Sequence, residues 1–325
     1  MGETVVVGSC NGLVHGVDKA TGTLRWRYDA SRDGGRPEFH GAPLVVRDLV
    51  IPASDDRRPD GIGHVYAIEA SSGSVRWKTR IGRGSMADVV RQGDRLYTVT
   101  LDNVLVALGL AKGEPAWSFR GAAPLDPDFL SVQNAPAVTA DRVYFGGADG
   151  MLYALSSESG SVIWKSAVGS RIVTPLVLVS GGLCFGTRDG RLLLAELSHG
   201  TPRTEMRLGQ TPFGSPTLAG ESLLVYTVEG ETGVLNAFDI SLAARRWSRR
   251  APRGWSTPRP YLWRGVVLAG DEGGELDALA LEDGAILWAR HLDGVIRGIG
   301  HDADLLYVGT LKGALFAVRP PAGGR

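Results

Sequence analysis

The sequence predicts an all-β chain folded as an eight-bladed β-propeller of four-stranded antiparallel blades. Three observations predict it. One motif recurs eight times, six of the copies carry a tryptophan at the same place, and a glycine-rich composition alternates short apolar runs with turns. A seven-bladed ring is the alternative, and eight copies of one strand do not fit it.

The motif is clearest at Gly12-Leu13-Val14-His15-Gly16-Val17, and it returns at Gly63, Asn103, Gly150, Gly190, Gly233, Gly274 and Gly313. Its alternation of side chains makes it a strand, termed C. A turn follows, with Gly22, Gly73, Gly113, Gly160, Gly200 and Gly284 at one position and Ala243 in one copy. Glycine there supplies a positive φ that other residues resist. The next strand, D, carries Trp26, Trp77, Trp117, Trp164, Trp247 and Trp288, and only the Gly190 copy has Thr204 instead. A tryptophan buries ~150–250 Å², so one at a repeat-fixed position reads as core and not as a cofactor box. Small residues at Ala67, Ala107, Ala154, Ala237, Ala278 and Ala317 are expected to let one sheet approach the next.

Strand B precedes each motif, as in Val143-Tyr144-Phe145-Gly146 and Leu306-Tyr307-Val308-Gly309. Strand A precedes B and is often opened by proline, as in Ala42-Pro43-Leu44-Val45 and Thr174-Pro175-Leu176-Val177. The chain starts at a B strand and ends after a C strand, leaving the first blade without an A and the last without a D. It reads as one propeller domain over 1–325, or as one trimmed from a longer protein.

The run Tyr-Phe-Gly-Gly-Ala-Asp-Gly-Met-Leu-Tyr-Ala-Leu … Ser-Gly-Ser-Val-Ile-Trp at 144–164 resembles the pyrroloquinoline-quinone-type (PQQ-like) repeat, as does Thr21-Gly22-Thr23-Leu24-Arg25-Trp26. The resemblance covers nearly the whole chain and implies the propeller fold. It does not imply one activity, because such repeats serve enzymes, assembly scaffolds and sensor domains alike. Quinone-dependent alcohol dehydrogenases of this resemblance are longer, carry adjacent cysteines and hold Ca²⁺ with Glu, Asn and Asp. None of those elements transfers, so no quinone dehydrogenase, cofactor or metal is expected. Cys10 and Cys184 read as core thiols without a disulfide partner.

Lys plus Arg and Asp plus Glu number 35 each, and a net charge of zero leaves no footprint for nucleic acid. No apolar stretch approaches the ~20 residues of a membrane helix, so no membrane insertion is expected. The opening residues hold no signal peptide, which places the chain as given in the cytoplasm, or outside it if the chain is a trimmed domain.

In a propeller the D–A and B–C connections share one face, and here they are the elaborated ones, at 30–39, 54–62 and 121–132. Loops enlarged on one face of a repeat ring mark a binding face. Aligning the A strands places His40, Met86, Gln133, Phe213 and Trp255 at a funnel mouth, with Asp88, Asn134, Arg171 and Arg297 near it. These positions differ from blade to blade, as an asymmetric ligand requires. Trp255 is expected to offer a flat apolar surface and Arg297 a planar donor fork. Glu38, His40 and Arg297 are candidate catalytic residues, with Glu38 and His40 two apart and so on one side of an extended chain. The leading function is a binding module for a protein partner or small ligand. The alternatives are a cyclase-, isomerase- or hydrolase-type enzyme at the funnel mouth, or a sensor or accessory domain of a larger polypeptide.

Overall fold

In the computed structural model, which describes residues 3–122, 134–208, 212–229 and 232–321, each recurrent motif forms the C strand of its own sheet. Eight successive antiparallel sheets make the fold an all-β eight-bladed propeller of four-stranded blades. Among the described residues blade 1 has no A strand and blade 8 no D strand, and the single helical turn is a 3-10 turn at Ala30–Asp33. The chain divides into two units, Met1–Leu176 with blades 1 to 4 and Val177–Arg325 with blades 5 to 8.

Within each unit the core lies between successive blades, not inside any one of them. Ile51, Ala53 and Val65 of blade 2 pack with Leu96 and Leu108 of blade 3. Tyr97 and Leu105 of blade 3 pack with Phe145 and Leu155 of blade 4. In the second unit Leu235 and Trp247 of blade 6 meet Val267 and Leu279 of blade 7. No blade can bury its apolar face alone, so stacking supplies the stabilisation.

Trp26, Trp77, Trp117 and Trp247 stitch these seams, whereas Trp288 Nε1 is buried with no hydrogen-bond partner. Trp26, Trp77 and Trp247 are buried, whereas Trp117, Trp164 and Trp288 are half-buried. Trp26 Nε1 donates to Ala70 O at 2.8 Å, Trp77 to Leu110 O at 3.0 Å, Trp117 to Ser157 O at 3.1 Å and Trp247 to Leu281 O at 2.8 Å. Each acceptor lies in the C–D turn of the following blade. The turn glycine of that blade lies on the indole: a Cβ on Gly73 would come 2.6 Å from Trp26, and one on Gly113 2.3 Å from Trp77. Glycine is therefore required there for close approach as well as for φ.

The small residues of the C strands lie in the clusters between blades, as Ala67, Ala107 and Ala237 do, and they have a second role. In blades 2, 3, 4, 6 and 7 the small residue sits directly across from the tryptophan of its own blade, as in Ala67↔Trp77, Ala154↔Trp164 and Ala278↔Trp288, whereas Ala317 of blade 8 pairs with Tyr307. Blade 1 uses Gly16, where a Cβ would come 2.1 Å from Trp26 Cε2. They make room for the indole of the same sheet.

Blade 5 tests this account, because it lacks the tryptophan. Thr204 pairs there with Leu194, so the small residue is replaced by a large one. In the next turn glycine gives way to Ala243. Its neighbour Leu242, at a position held by Thr21, Ser72, Lys112, Ser159, His199 and Asp283 in other turns, is 3% exposed and enters the cluster between blades 5 and 6. Restoring the tryptophan alone should overpack this seam. Thr204→Trp is expected to lower stability by about 1–3 kcal/mol, and adding Leu194→Ala should recover part of that loss. Strictly additive effects in urea unfolding of the single and double variants would contradict the exchange.

Candidate functional site

In the first unit, three loops on blades 1 to 3 fold into a small sheet of their own. Glu38 N donates to Asp55 O and Asp55 N to Glu38 O, both at 2.9 Å. Asp55 also bridges Gly84 on its other side, and Ser85 N donates to Ser54 O at 3.1 Å. Asp56 ties the same loops from beneath. Its carboxylate accepts from Arg36 N at 2.8 Å, Ile62 N at 3.3 Å and Arg58 Nη2 at 2.6 Å. The Arg58 guanidinium, helped by these backbone donors and opposed by burial, holds that carboxyl well below the usual carboxylate range.

This pairing determines which side chains meet. Residues directly opposite in an antiparallel pair project on one face, and so do residues two apart along a strand. Glu38, Asp55 and His40 are related in these ways, and they converge. His40 Nδ1 lies 2.7 Å from Asp55 Oδ1 and His40 Nε2 3.3 Å from Glu38 Oε2. Glu38 Oε2 also accepts from Arg57 Nη2 at 3.0 Å. Burial raises the Asp55 carboxyl above its ordinary value, against the opposing pull of His40, and Asp55 Oδ2 is buried with no hydrogen-bond partner.

Cys10 completes the group. It stands in the turn after the B strand of blade 1, where Phe39 N donates to Ser9 O at 3.3 Å and the Phe39 ring packs on Gly8. That contact places Cys10 Sγ 3.8 Å from His40 Nε2. Cys10 is exposed, contrary to the core position expected of it, because it caps a turn and does not continue the strand. Cys184 is fully buried as expected, and burial pushes its thiol well up. Among the described residues, Glu38, His40 and Asp55 form the one group of three whose potential ligand atoms all lie within 4.8 Å of one another.

The other predicted funnel residues lie as follows. In the first unit Met86 is buried at 3% exposure, and half-buried Asp88 accepts from Ala42 N at 2.7 Å. Asn134 is buried and donates to Gly146 O at 2.5 Å, and Arg171 is half-buried. Gln133 falls outside the described residues, as does most of the 121–132 loop. In the second unit Trp255 does not offer the expected open surface. It is 4% exposed, its Nε1 donates to Arg249 O at 3.2 Å, and its ring packs 6.1 Å from that of Tyr226, on which half-buried Phe213 stacks at 5.4 Å. Arg297 is exposed and donates to Ser256 O at 3.1 Å. The second unit also holds a polar cavity of about 260 Å³ beside blade 5's D strand, lined by Arg207, Thr227, Asn236 and Arg245; it contains none of the predicted residues.

Sequence reasoning missed Cys10 and Asp55. Asp55 stands in the Asp-Asp-Arg-Arg run of an elaborated loop, and only the loop pairing distinguishes it from its charged neighbours.

Comparison with known proteins agrees with the repeat reading. The family model described as outer membrane protein assembly factor BamB matches residues 11–203 and 172–298. The protein of that name from Burkholderia pseudomallei is 23% identical over 98% of this chain and 83% of its own length. The crystal structure of BamB from Moraxella catarrhalis superposes with a TM-score of 0.76 at 19% identity, covering 98% of this chain and 94% of that one. A computationally designed protein, Ika8, superposes with a TM-score of 0.78 at 14% identity, over 98% and 94% of the two chains. Relatives named for outer membrane assembly do not support the cytoplasmic placement expected from the opening residues. Among the described residues no helix is long and apolar enough to cross a membrane.

Proposed function

This chain belongs to the β-propeller family described as outer membrane protein assembly factor BamB, and on that premise we propose that it is an extracytoplasmic protein-binding scaffold acting in outer membrane protein assembly. Its binding face is the set of D–A and B–C loops of the first unit. The observation that carries this reading is the backbone pairing among those loops. Ser54, Asp55 and Asp56 are at most 2% exposed although they lie in a connection, so the surface above them is held in one shape before a partner arrives. Pre-ordering reduces the entropy lost on binding. The same loops expose Arg32, Arg36 and Arg57, and arginine is the charged residue enriched in protein interfaces. Arg297, also exposed, belongs to the second unit and is no part of this face. Buried Trp255 serves the packing of its own unit.

The test is made in a host envelope. Cells lacking the protein should show reduced levels of folded outer membrane β-barrels, read by heat-modifiable gel mobility. The Arg32→Glu/Arg36→Glu variant should reproduce that loss with an unchanged melting temperature, whereas Arg290→Glu on blade 7 should not. Normal barrel levels in the deletion strain would reject the assembly role. Full complementation by the loop variant would reject this face.

A further inference from the structure

We propose that the polar cavity between blades 5 and 6 binds a phosphate group, held by Arg207, Arg245 and the hydroxyl of Thr227. This goes beyond the scaffold reading and does not depend on it.

The cavity measures about 260 Å³, with Met206 and Arg207 of blade 5 on one side and Thr227, Asn236, Phe238 and Arg245 of blade 6 on the other. It stands at the seam where Thr204 replaces the repeat tryptophan. Pockets for drug-sized ligands hold ~300–1,000 Å³, so this space suits one small group with its water.

The direction of the hydrogen bonds is the first argument. Asn236 is 1% exposed, at a C-strand position that carries Tyr66, Val106, Tyr153 and Leu193 in other blades. Arg245 Nη1 donates to its Oδ1 at 3.5 Å. A guanidinium can only donate, so the amide oxygen faces Arg245 and Nδ2 is turned to Thr227, donating to Oγ1 at 3.0 Å. Thr227 Oγ1 therefore accepts, and its own proton has no acceptor among the described residues. Thr227 is 3% exposed, and a buried donor left unpaired is costly. An acceptor in the cavity supplies what that proton lacks.

The second argument is charge. Among the described residues no carboxylate lines the cavity, and the long bond to Asn236 is the one hydrogen bond of the Arg245 side chain. Arg207 Nη2 lies 3.4 Å from Glu205 Oε1, but Arg191 Nη1 lies 3.3 Å from the other oxygen of the same carboxylate. One acid thus serves two guanidiniums, and donors are left over on both sides of the seam.

The layout of the donors gives the chemical class. They come from two blades, Arg207 from one and Arg245 with Thr227 from the other. A carboxylate presents its two oxygens to one side, whereas a tetrahedral phosphate presents oxygens in several directions and accepts from both blades at once. The guanidinium fork matches phosphate geometry.

A free phosphate and a lipid headgroup share this chemistry, and one experiment separates them. Phenylglyoxal modifies accessible guanidiniums, and mass spectrometry of peptides reads each arginine separately in the unaltered full chain. Saturating inorganic phosphate should slow modification of Arg207 and Arg245 about five-fold or more, since a guanidinium paired with an anion is shielded. Exposed Arg47 on blade 2 should be unaffected, and acetate at the same ionic strength should not protect. Thr227→Val should raise the phosphate concentration required about ten-fold or more, as expected for one lost hydrogen bond to a charged group. Protection by vesicles containing phosphatidylglycerol, beyond that by phosphatidylcholine alone, identifies a lipid headgroup as the source; protection by phosphate without it identifies a free phosphate. Modification of Arg245 that is indifferent to phosphate, slowed equally by acetate, or slowed no more than that of Arg47 would overturn the proposal. The protection readout needs no variant, so a variant that fails to fold does not weaken the test.

Discussion

Replacing Trp77 with alanine is expected to cost about 3–5 kcal/mol, as a large deletion in a packed seam. Three contacts are lost together: the indole's place against Ala67, its bed on Gly113, and the hydrogen bond from Nε1 to Leu110 O. Because Gly113 and Leu110 belong to blade 3, the damage falls on the junction of two blades and not on one sheet. Trp77→Phe keeps a ring but leaves the Leu110 carbonyl without its donor. The polar part of its loss should be about 1 kcal/mol. Urea unfolding of both variants separates the packing and hydrogen-bond contributions. A loss below 1 kcal/mol for the alanine variant would mean that the residue does not hold the seam.

Gly84→Ala should be the most damaging single change in the loop platform. Gly84 has φ +89°, and a Cβ there would come 1.9 Å from Ser54 O and 2.7 Å from Asp55 Cα. The conformation alone costs about 1–3 kcal/mol for a residue with a side chain. The clash falls on backbone, which cannot step aside as a flexible side chain can. Gly93→Ala is the matched control, with φ +58° and nothing within 4 Å of the added atom. Gly84→Ala should therefore lower the melting temperature at least twice as far. It should also make the 52–63 loop cleavable by protease, while Gly93→Ala leaves it resistant. Equal effects would show that the three-loop sheet contributes nothing of its own.

The blades were legible in the sequence because their signals are periodic and mutually dependent. Trp77, Ala67 and Gly113 each stand at a repeat-fixed place, and each is explained by the other two once the seam is seen. The same logic explains Thr204, Leu194, Leu242 and Ala243, where one departure entails the others. The candidate site lacks any such code. Glu38 and His40 could be paired from their spacing, but Asp55 reaches them through a loop-to-loop register that occurs once, and Cys10 through the packing of Phe39 on Gly8. Alignment of the A strands placed Trp255 three residues before the proline of its blade. It carried no information on direction, and Tyr226 with Phe213 takes up the face that looked available.

The tryptophan seam also bears on how such a chain can be lengthened or shuffled by gene duplication. A cut made between strands D and A separates each indole from the glycine and carbonyl that receive it. A copied blade then arrives with a turn suited to one neighbour and a D strand suited to another. The segment that travels intact runs from the C strand of one blade to the C–D turn of the next, because it carries the small residue, the indole and its receiving turn together. The segment that keeps these contacts together is thus the junction and not the blade. Blade 5 shows what one altered junction entails: Leu194 and Thr204 depart from the repeat on one side and Leu242 and Ala243 on the other, a set of departures spread over two repeats that meet at a single seam.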